Sequence, residues 1–260
     1  MTWETIRVEV KENVAVITFN RPDALNAIST QLASDVISVM RELADEREVW
    51  AAILTAEGEK AFCVGADLKE RKNMSKEDMI KQRELFVRAF RAVSEFPKPL
   101  IAAVNGFAMG GGFEFALGCD LIYASDNAVL ALPEVGLGII PGGGGTVNLP
   151  RLIGKSKAKE LIFTGRRLTA AEAEEWGIVS RVAPRDELLN AARELCSEIT
   201  KNAPVAVWQA KKSVNLGMEV DIASAFALEA ECYNVCLKTE DRDEGLKAFN
   251  EKRKPVYKGY

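Results

Sequence analysis

Histidine is absent from the 260 residues. Without imidazole there is no Ser-His or Cys-His nucleophilic catalysis, no H-E-x-x-H metalloprotease site and no histidine-bearing metal centre. Acid–base chemistry therefore falls to Asp, Glu, Lys, Tyr or Cys. Cysteine is sparse and odd in number: Cys63, Cys119, Cys196, Cys232 and Cys236 have no C-x-x-C spacing. Cys232 and Cys236, four apart on a helical pattern, read as packing residues rather than ligands. No metal is expected. Positive charge is in deficit as well. Lys and Arg number 34 against 38 Asp and Glu, a net charge of −4, which leaves no global footprint for nucleic acid or an anionic membrane. No apolar run reaches the roughly 18 residues of a membrane span, and no signal peptide precedes the first strand pattern. The expectation is a soluble, cytoplasmic protein with reduced thiols and no membrane or nucleic-acid partner.

What remains is globular in composition, with 48% hydrophobic and 28% charged residues. The length slightly exceeds what one core usually fills, so a body with an appendage is a natural reading. Val8, Val10, Val14, Val16 and Ile17 form two β-branched runs split by Lys11-Glu12-Asn13, a hairpin signal. Ser29 is placed to cap a helix through Leu43, and Ser75 opens another toward Phe96. Between and after them, 49–55 and 99–105 are continuous apolar strands of the kind covered on both faces. This alternation predicts a parallel sheet with βαβ crossovers. Thr169-Ala-Ala-Glu172 is a capping box. Beyond Val182 the strand signals fade, and 186–201, 204–218, 221–237 and 240–250 read as helices. The chain is thus an α/β body followed by a helical C-terminal quarter.

Two glycine clusters interrupt this pattern: Gly106-Phe-Ala-Met-Gly110-Gly111-Gly112 and Pro141-Gly142-Gly143-Gly144-Gly145. The first lies between an apolar strand and a helix pattern, where free N–H groups at a helix N-terminus suit an anion or oxyanion. It lacks G-x-G-x-x-G spacing. Gly154-Lys155-Ser156 resembles the end of a P-loop, but Leu149 stands where that motif needs glycine. Tight turns are the competing explanation for both clusters. Glu114 and Glu134 each sit among apolar neighbours, which disfavours the charged carboxylate and lifts its pKa toward neutrality. Two such groups on one cavity could act as acid and base. Equally, Glu114 could be a partner of the helix dipole and Glu134 a solvated turn residue. Spacing alone leaves both readings open.

Taken together, these stretches resemble the crotonase (enoyl-CoA hydratase/isomerase) superfamily over essentially the whole chain. The resemblance is carried by 17–27 (ITFNRPDALNA), 61–70 (AFCVGADLKE), 102–114 (AAVNGFAMGGGFE), 132–135, 140–146 (IPGGGGT) and 241–253. Within the superfamily, 65–71, 216–221 and 255–259 are similar to the methylglutaconyl-CoA hydratase branch, which acts in leucine breakdown. The resemblance implies a spiral of ββα units as catalytic core (1–200) and a C-terminal helical trimerisation region (201–260). It also implies a homotrimer, or a hexamer built as a dimer of trimers. Backbone N–H groups of Ala66 and Gly111 would form the oxyanion hole, with Glu114 and Glu134 catalytic. Asp23, Ala24, Leu25, Ala66, Asp67, Leu68 and Lys69 would line the coenzyme A site. Phe249 and Lys252 would touch the coenzyme A of a neighbouring subunit. Asp23 departs from relatives that carry Lys there, which removes a charge contact near the nucleotide.

The implied reaction is hydration of a 2-enoyl-CoA, an acyl-CoA thioester in which coenzyme A is part of the substrate and no cofactor is needed. Carrying both glutamates favours hydration over the isomerase and hydrolase branches of the same fold. A relative in the methylglutaconyl branch is described as binding AU-rich RNA through a lysine row on its first helix. Residues 29–46 here hold Arg41 as their only base beside Asp35, Glu42, Asp45 and Glu46, which argues against RNA binding. Trp50, Met74, Met79, Phe86 and Phe90 are candidates for a pocket wall, though each also fits core spacing. The C-terminal helices carry Trp208, Val214, Leu216, Ile222, Phe226, Leu228 and Tyr233, more apolar surface than a lone tail should expose.

Overall fold

A computed structural model describes residues 3–260. The chain opens with the hairpin β1 (Ile6–Lys11) and β2 (Val14–Phe19), paired antiparallel with Val8 opposite Ile17. Its two turn residues, Glu12 and Asn13, both have positive φ (52° and 63°), as the tightest hairpin connection requires. Helix α1 (Thr30–Asp45) starts at Ser29, whose hydroxyl accepts from the Leu32 N–H. Strands β3 (Ala51–Ala56) and β4 (Ala61–Cys63) lead to the short α2 (Leu68–Arg71) and to α3 (Lys76–Ser94), capped by Ser75 as expected. Next come β5 (Leu100–Val104), β6 (Phe107–Met109), α4 (Gly111–Leu117), β7 (Leu121–Ser125) and β8 (Val129–Ala131). The body closes with α5 (Gly145–Ile153), α6 (Lys155–Thr164), β9 (Leu168–Thr169), α7 (Ala170–Glu175) and β10 (Arg181–Ala183). The predicted capping box at Thr169 and Glu172 is formed in both directions.

Two sheets result. The larger runs β1-β2-β3-β5-β7-β10 and is parallel from β2 onward; the smaller runs β4-β6-β8-β9. Strands β3, β5 and β7 join the large sheet, and β4, β6 and β8 after each of them join the small one. Each circuit gives one strand to each sheet before helical structure follows, which is the ββα spiral. Alternation along the strands divides the core. Leu54, Leu100 and Ala102 pack toward α1, α3 and α4, while Ile53, Ile101 and Ala103 pack under Leu188, Ala191 and Cys196. Those last three belong to α8 (Leu188–Thr200). The long strands are therefore buried on both faces, and this is why they read as unbroken apolar runs.

Three further helices follow: α9 (Pro204–Gly217), α10 (Ile222–Cys236) and α11 (Glu240–Asn250). Helix α9 is tied to the body by Trp208 Nε1 donating to the Trp50 carbonyl (3.1 Å) and by Lys211 Nζ donating to Asp120 (2.7 Å). Trp208 is thus half-buried within this chain rather than on the open apolar face. Val214, Leu216, Ile222, Phe226 and Tyr233 are exposed, and Leu228 is half-buried. Among the described residues, no helix is long and apolar enough to cross a membrane.

Candidate active site

Helices α2, α3 and α4, with the segments that follow β4 and β8, frame a cleft. Its floor is the junction of β6 and α4. Gly110 has φ +52°, a value that costs glycine little, and it turns the chain so that α4 begins facing the cleft. As first residue of α4, Gly111 has an N–H without an intrahelical acceptor. The opposite lip is the segment after β4. There Ile28 forms an isolated parallel bridge with Ala66: the Ile28 N–H donates to Gly65 O (2.8 Å) and the Asp67 N–H donates to Ile28 O (3.0 Å). In that parallel pattern the residue opposite Ile28 spends neither of its own backbone groups on the bridge, so the Ala66 N–H faces the other way. A Cβ placed on Gly65 would stand 3.3 Å from Gly111 N, which brings the two free N–H donors together at one end of the cleft.

Glu114, on the first turn of α4, is only 4% exposed. Its Oε1 accepts from the N–H groups of Gly143 (2.6 Å) and Gly145 (2.8 Å). The second glycine cluster is therefore a clamp for this carboxylate, a role that the sequence did not reveal. Burial pushes the Glu114 pKa up. Donation from Gly145, Gly143 and Gly142 and the charge of Arg83 pull against that without cancelling it. Glu134 starts the 3-10 turn Glu134–Leu137 that follows β8. It is 9% exposed, not solvated, and its Oε2 is buried without a partner among the described residues. Desolvation, with a smaller contribution from Glu114, raises its pKa to about 7, against the opposing pull of its own backbone N–H. The two carboxylates thus feel each other across one cavity. Gly110 adjoins Glu134, since a Cβ there would stand 3.0 Å from Glu134 Oε1.

The structure gathers Ala66, Leu68, Gly111, Glu114 and Glu134 into this single cleft. Asp23 and Leu25 line a second groove with Glu57, Glu59 and Lys60. Ala24, Asp67 and Lys69 line neither. Asp67 is occupied structurally: its carboxylate caps α2 through the N–H groups of Lys69 and Glu70 and pairs with Arg21 at 3.0 Å. Phe249 and Lys252 lie exposed at the end of α11, outside both pockets. Of the candidate wall residues, Phe86 and Phe90 do line the cleft, whereas Trp50, Met74 and Met79 do not. Ile28, Arg71 and Arg83 also line it and were missed. One signal for Arg83 was available, because Arg83, Phe86 and Phe90 stand at i, i+3 and i+7 on one helical stripe.

The enoyl-CoA hydratase/isomerase family profile matches residues 9–260. The chain is 49% identical over 248 residues to the Bacillus subtilis protein YngF, covering 95% of each. It is 46% identical over 254 residues to a short-chain-enoyl-CoA hydratase of Clostridium acetobutylicum, covering 98% of this chain and 97% of that one. Its fold is similar to the crystal structure of an enoyl-CoA hydratase from Bacillus anthracis, with a TM-score of 0.96 at 43% identity over 99% of this chain and 100% of the other. Fold, motifs and these similarities agree: the chain is an enzyme of the enoyl-CoA hydratase/isomerase family.

Proposed function

We propose that this enzyme adds water across the C2–C3 double bond of a short-chain 2-enoyl-CoA thioester. The observation that carries the reading is the convergence of two buried glutamates with unlike environments on a cleft that ends in two free N–H donors. In the proposed mechanism the thioester oxygen sits between the N–H groups of Ala66 and Gly111. As the enolate develops, the negative charge gathers where those donors point, and losing one such donor typically costs about 3–4 kcal/mol. Glu114 keeps Oε1 on the Gly143 and Gly145 N–H groups and has Oε2 for the nucleophile. It accepts a proton from water while the water oxygen bonds to C3. The π-electron pair moves toward the thioester, and Glu134 delivers its proton to C2. Near neutral pH a carboxyl with a pKa of about 7 is still substantially protonated, which suits Glu134 to the acid role. The cycle ends with Glu114 protonated and Glu134 ionised, so one proton must return between them.

The name of the Clostridium relative supports a short acyl chain. Asp23, Ala24, Leu25, Asp67, Leu68 and Lys69 are assigned to the coenzyme A side of the site, and Phe249 and Lys252 to contact across a subunit boundary. The exposed apolar residues of α9 and α10 are the basis for proposing a homotrimer or hexamer. The test is incubation with crotonyl-CoA in H₂¹⁸O. One ¹⁸O in 3-hydroxybutyryl-CoA is expected. An unlabelled product with a shifted double bond, or release of free coenzyme A, would refute hydration.

A further inference from the structure

One peptide group in the cleft is held at both ends by ionisable side chains. Arg83, exposed on the second turn of α3, donates from Nη2 to the Gly142 carbonyl. The N–H at the other end of that same peptide belongs to Gly143, which donates to Glu114 Oε1 (2.6 Å). A cation thus sits on the oxygen of the Gly142–Gly143 peptide and a carboxyl group on its nitrogen. Hydrogen bonds in such a row polarise one another, so drawing electron density to the carbonyl oxygen makes the N–H a stronger donor. Among the described residues, no carboxylate lies within salt-bridge distance of Arg83, and its hydrogen-bonded partner is this carbonyl rather than an acid. The peptide needs holding. It lies between two glycines, and Gly144 beyond them has φ +115°. A peptide plane between glycines rotates with little steric resistance, and rotation would turn the Gly142 carbonyl, not an N–H, toward Glu114. Phe90, two turns beyond Arg83 on α3, backs Gly143, where a Cβ would stand 2.5 Å from its ring carbons. That contact limits where Gly143 can sit, and Arg83 fixes which way its peptide faces.

We propose that Arg83 is a positioning residue for Glu114: it locks the Gly142–Gly143 peptide with the N–H toward Oε1, which leaves Oε2 aimed at the attacking water. The assignment rests on the reading of Glu114 as the base in hydration. A carboxylate accepts a hydrogen bond better than a carboxylic acid does, so a strengthened N–H favours the ionised base. The charge of Arg83 acts in the same direction. Loss of Arg83 therefore makes Glu114 harder to ionise.

The test is Arg83→Met, which removes both the cation and the donor at an exposed position and should leave the fold intact. The acid limb of the kcat profile with crotonyl-CoA should move upward by about 0.5–1 pH unit, the scale of a charge-assisted hydrogen bond reduced by solvent screening. Below the limb kcat should fall about three- to tenfold, because that much less of the base is ionised, while KM changes little. In the Glu114→Gln background the same substitution should cost nothing further, since no ionisable base remains for the peptide to serve. A rise in KM with the limb in place, or an equal loss in both backgrounds, would mark Arg83 as a substrate contact or a structural group and overturn the proposal. A readout without turnover separates this result from the hydration reading. The protonated-carboxyl stretch that infrared difference spectra lose in Glu114→Gln reports the Glu114 titration directly, and its midpoint should rise by the same amount in Arg83→Met. If crotonyl-CoA is not hydrated, the hydration reading fails and the infrared midpoint alone decides: a rise supports the peptide lock, and an unmoved midpoint overturns it.

Discussion

Replacing Glu134 by Gln should make the protein more stable at alkaline pH and cripple it as an enzyme, both for one reason. The carboxyl is buried with an unpartnered oxygen, and its pKa rises from the ordinary 4.5 to about 7. A carboxyl whose folded pKa is raised stabilises the fold fully below its unfolded pKa. That contribution is lost as pH climbs through about 7, because the ionised form is penalised. At 1.36 kcal/mol per pH unit the penalty approaches about 3 kcal/mol. The group borders an open cleft that screens part of it, so we take about 1–3 kcal/mol. Gln has nearly the same shape and never ionises. For a chain of this size each kcal/mol moves Tm by about 2–4 °C, so at about pH 8.5 the variant should melt several degrees above the parent. At about pH 5 the difference should close. In kinetics, loss of the proton donor should lower kcat by roughly 10²–10⁴ and remove the fall in kcat/KM above neutrality. Calorimetry at the two pH values and a pH–rate profile with crotonyl-CoA measure both effects. A Tm difference of the same size at both pH values, or an alkaline fall that persists in the variant, would refute the reasoning.

Glu114→Gln should likewise cost roughly 10²–10⁴ in kcat. The double variant with Glu134→Gln should lose far less than the product of the single losses, since the groups act as a unit; steady-state rates decide this. Gly143→Ala puts a Cβ 2.5 Å from ring carbons of Phe90, whose ring also packs 4.5 Å from that of Phe115. The resulting shift should weaken N–H donation to Glu114, raise its pKa further and move the acid limb of the pH–rate profile to higher pH, with a stability loss of about 1–3 kcal/mol. An acid limb that stays in place in a destabilised variant would separate the clamp from catalysis. Light scattering at micromolar concentration should give the mass of a trimer or hexamer, and a monomeric mass would refute the assembly.

Much of the frame was legible because local chemistry dictates it. The Ser29, Ser75 and Thr169 caps and the apolar runs of β3 and β5 lie where the sequence predicts them, and of the predicted break at Lys11-Glu12-Asn13 the turn takes Glu12 and Asn13, with Lys11 paired to Val14 at the end of β1. Glu114 and Glu134 were visible as carboxylates in apolar surroundings. Their convergence was not, because β7 and β8 separate them and enter different sheets, so the approach is made by the spiral and not by spacing. Pro141–Gly145 stood out as a cluster, yet its two donors to Glu114 exist only once α5 packs beside α4. Arg71 and Arg83 were hidden differently. On α2 and α3 they sit among other charged residues, and nothing local says that this part of the surface folds inward over a cavity.

The titration of Glu134 in a chain without histidine has a consequence for temperature. In most enzymes a group that ionises near neutrality is an imidazole, whose ionisation absorbs considerable heat, so its pKa drifts downward on warming. A carboxyl in water ionises with almost no enthalpy, so the response of Glu134 to temperature is expected to come from its burial, whose penalty on the charged form falls on warming. The alkaline edge expected for this cleft should therefore follow the temperature dependence of desolvation rather than the heat of imidazole ionisation.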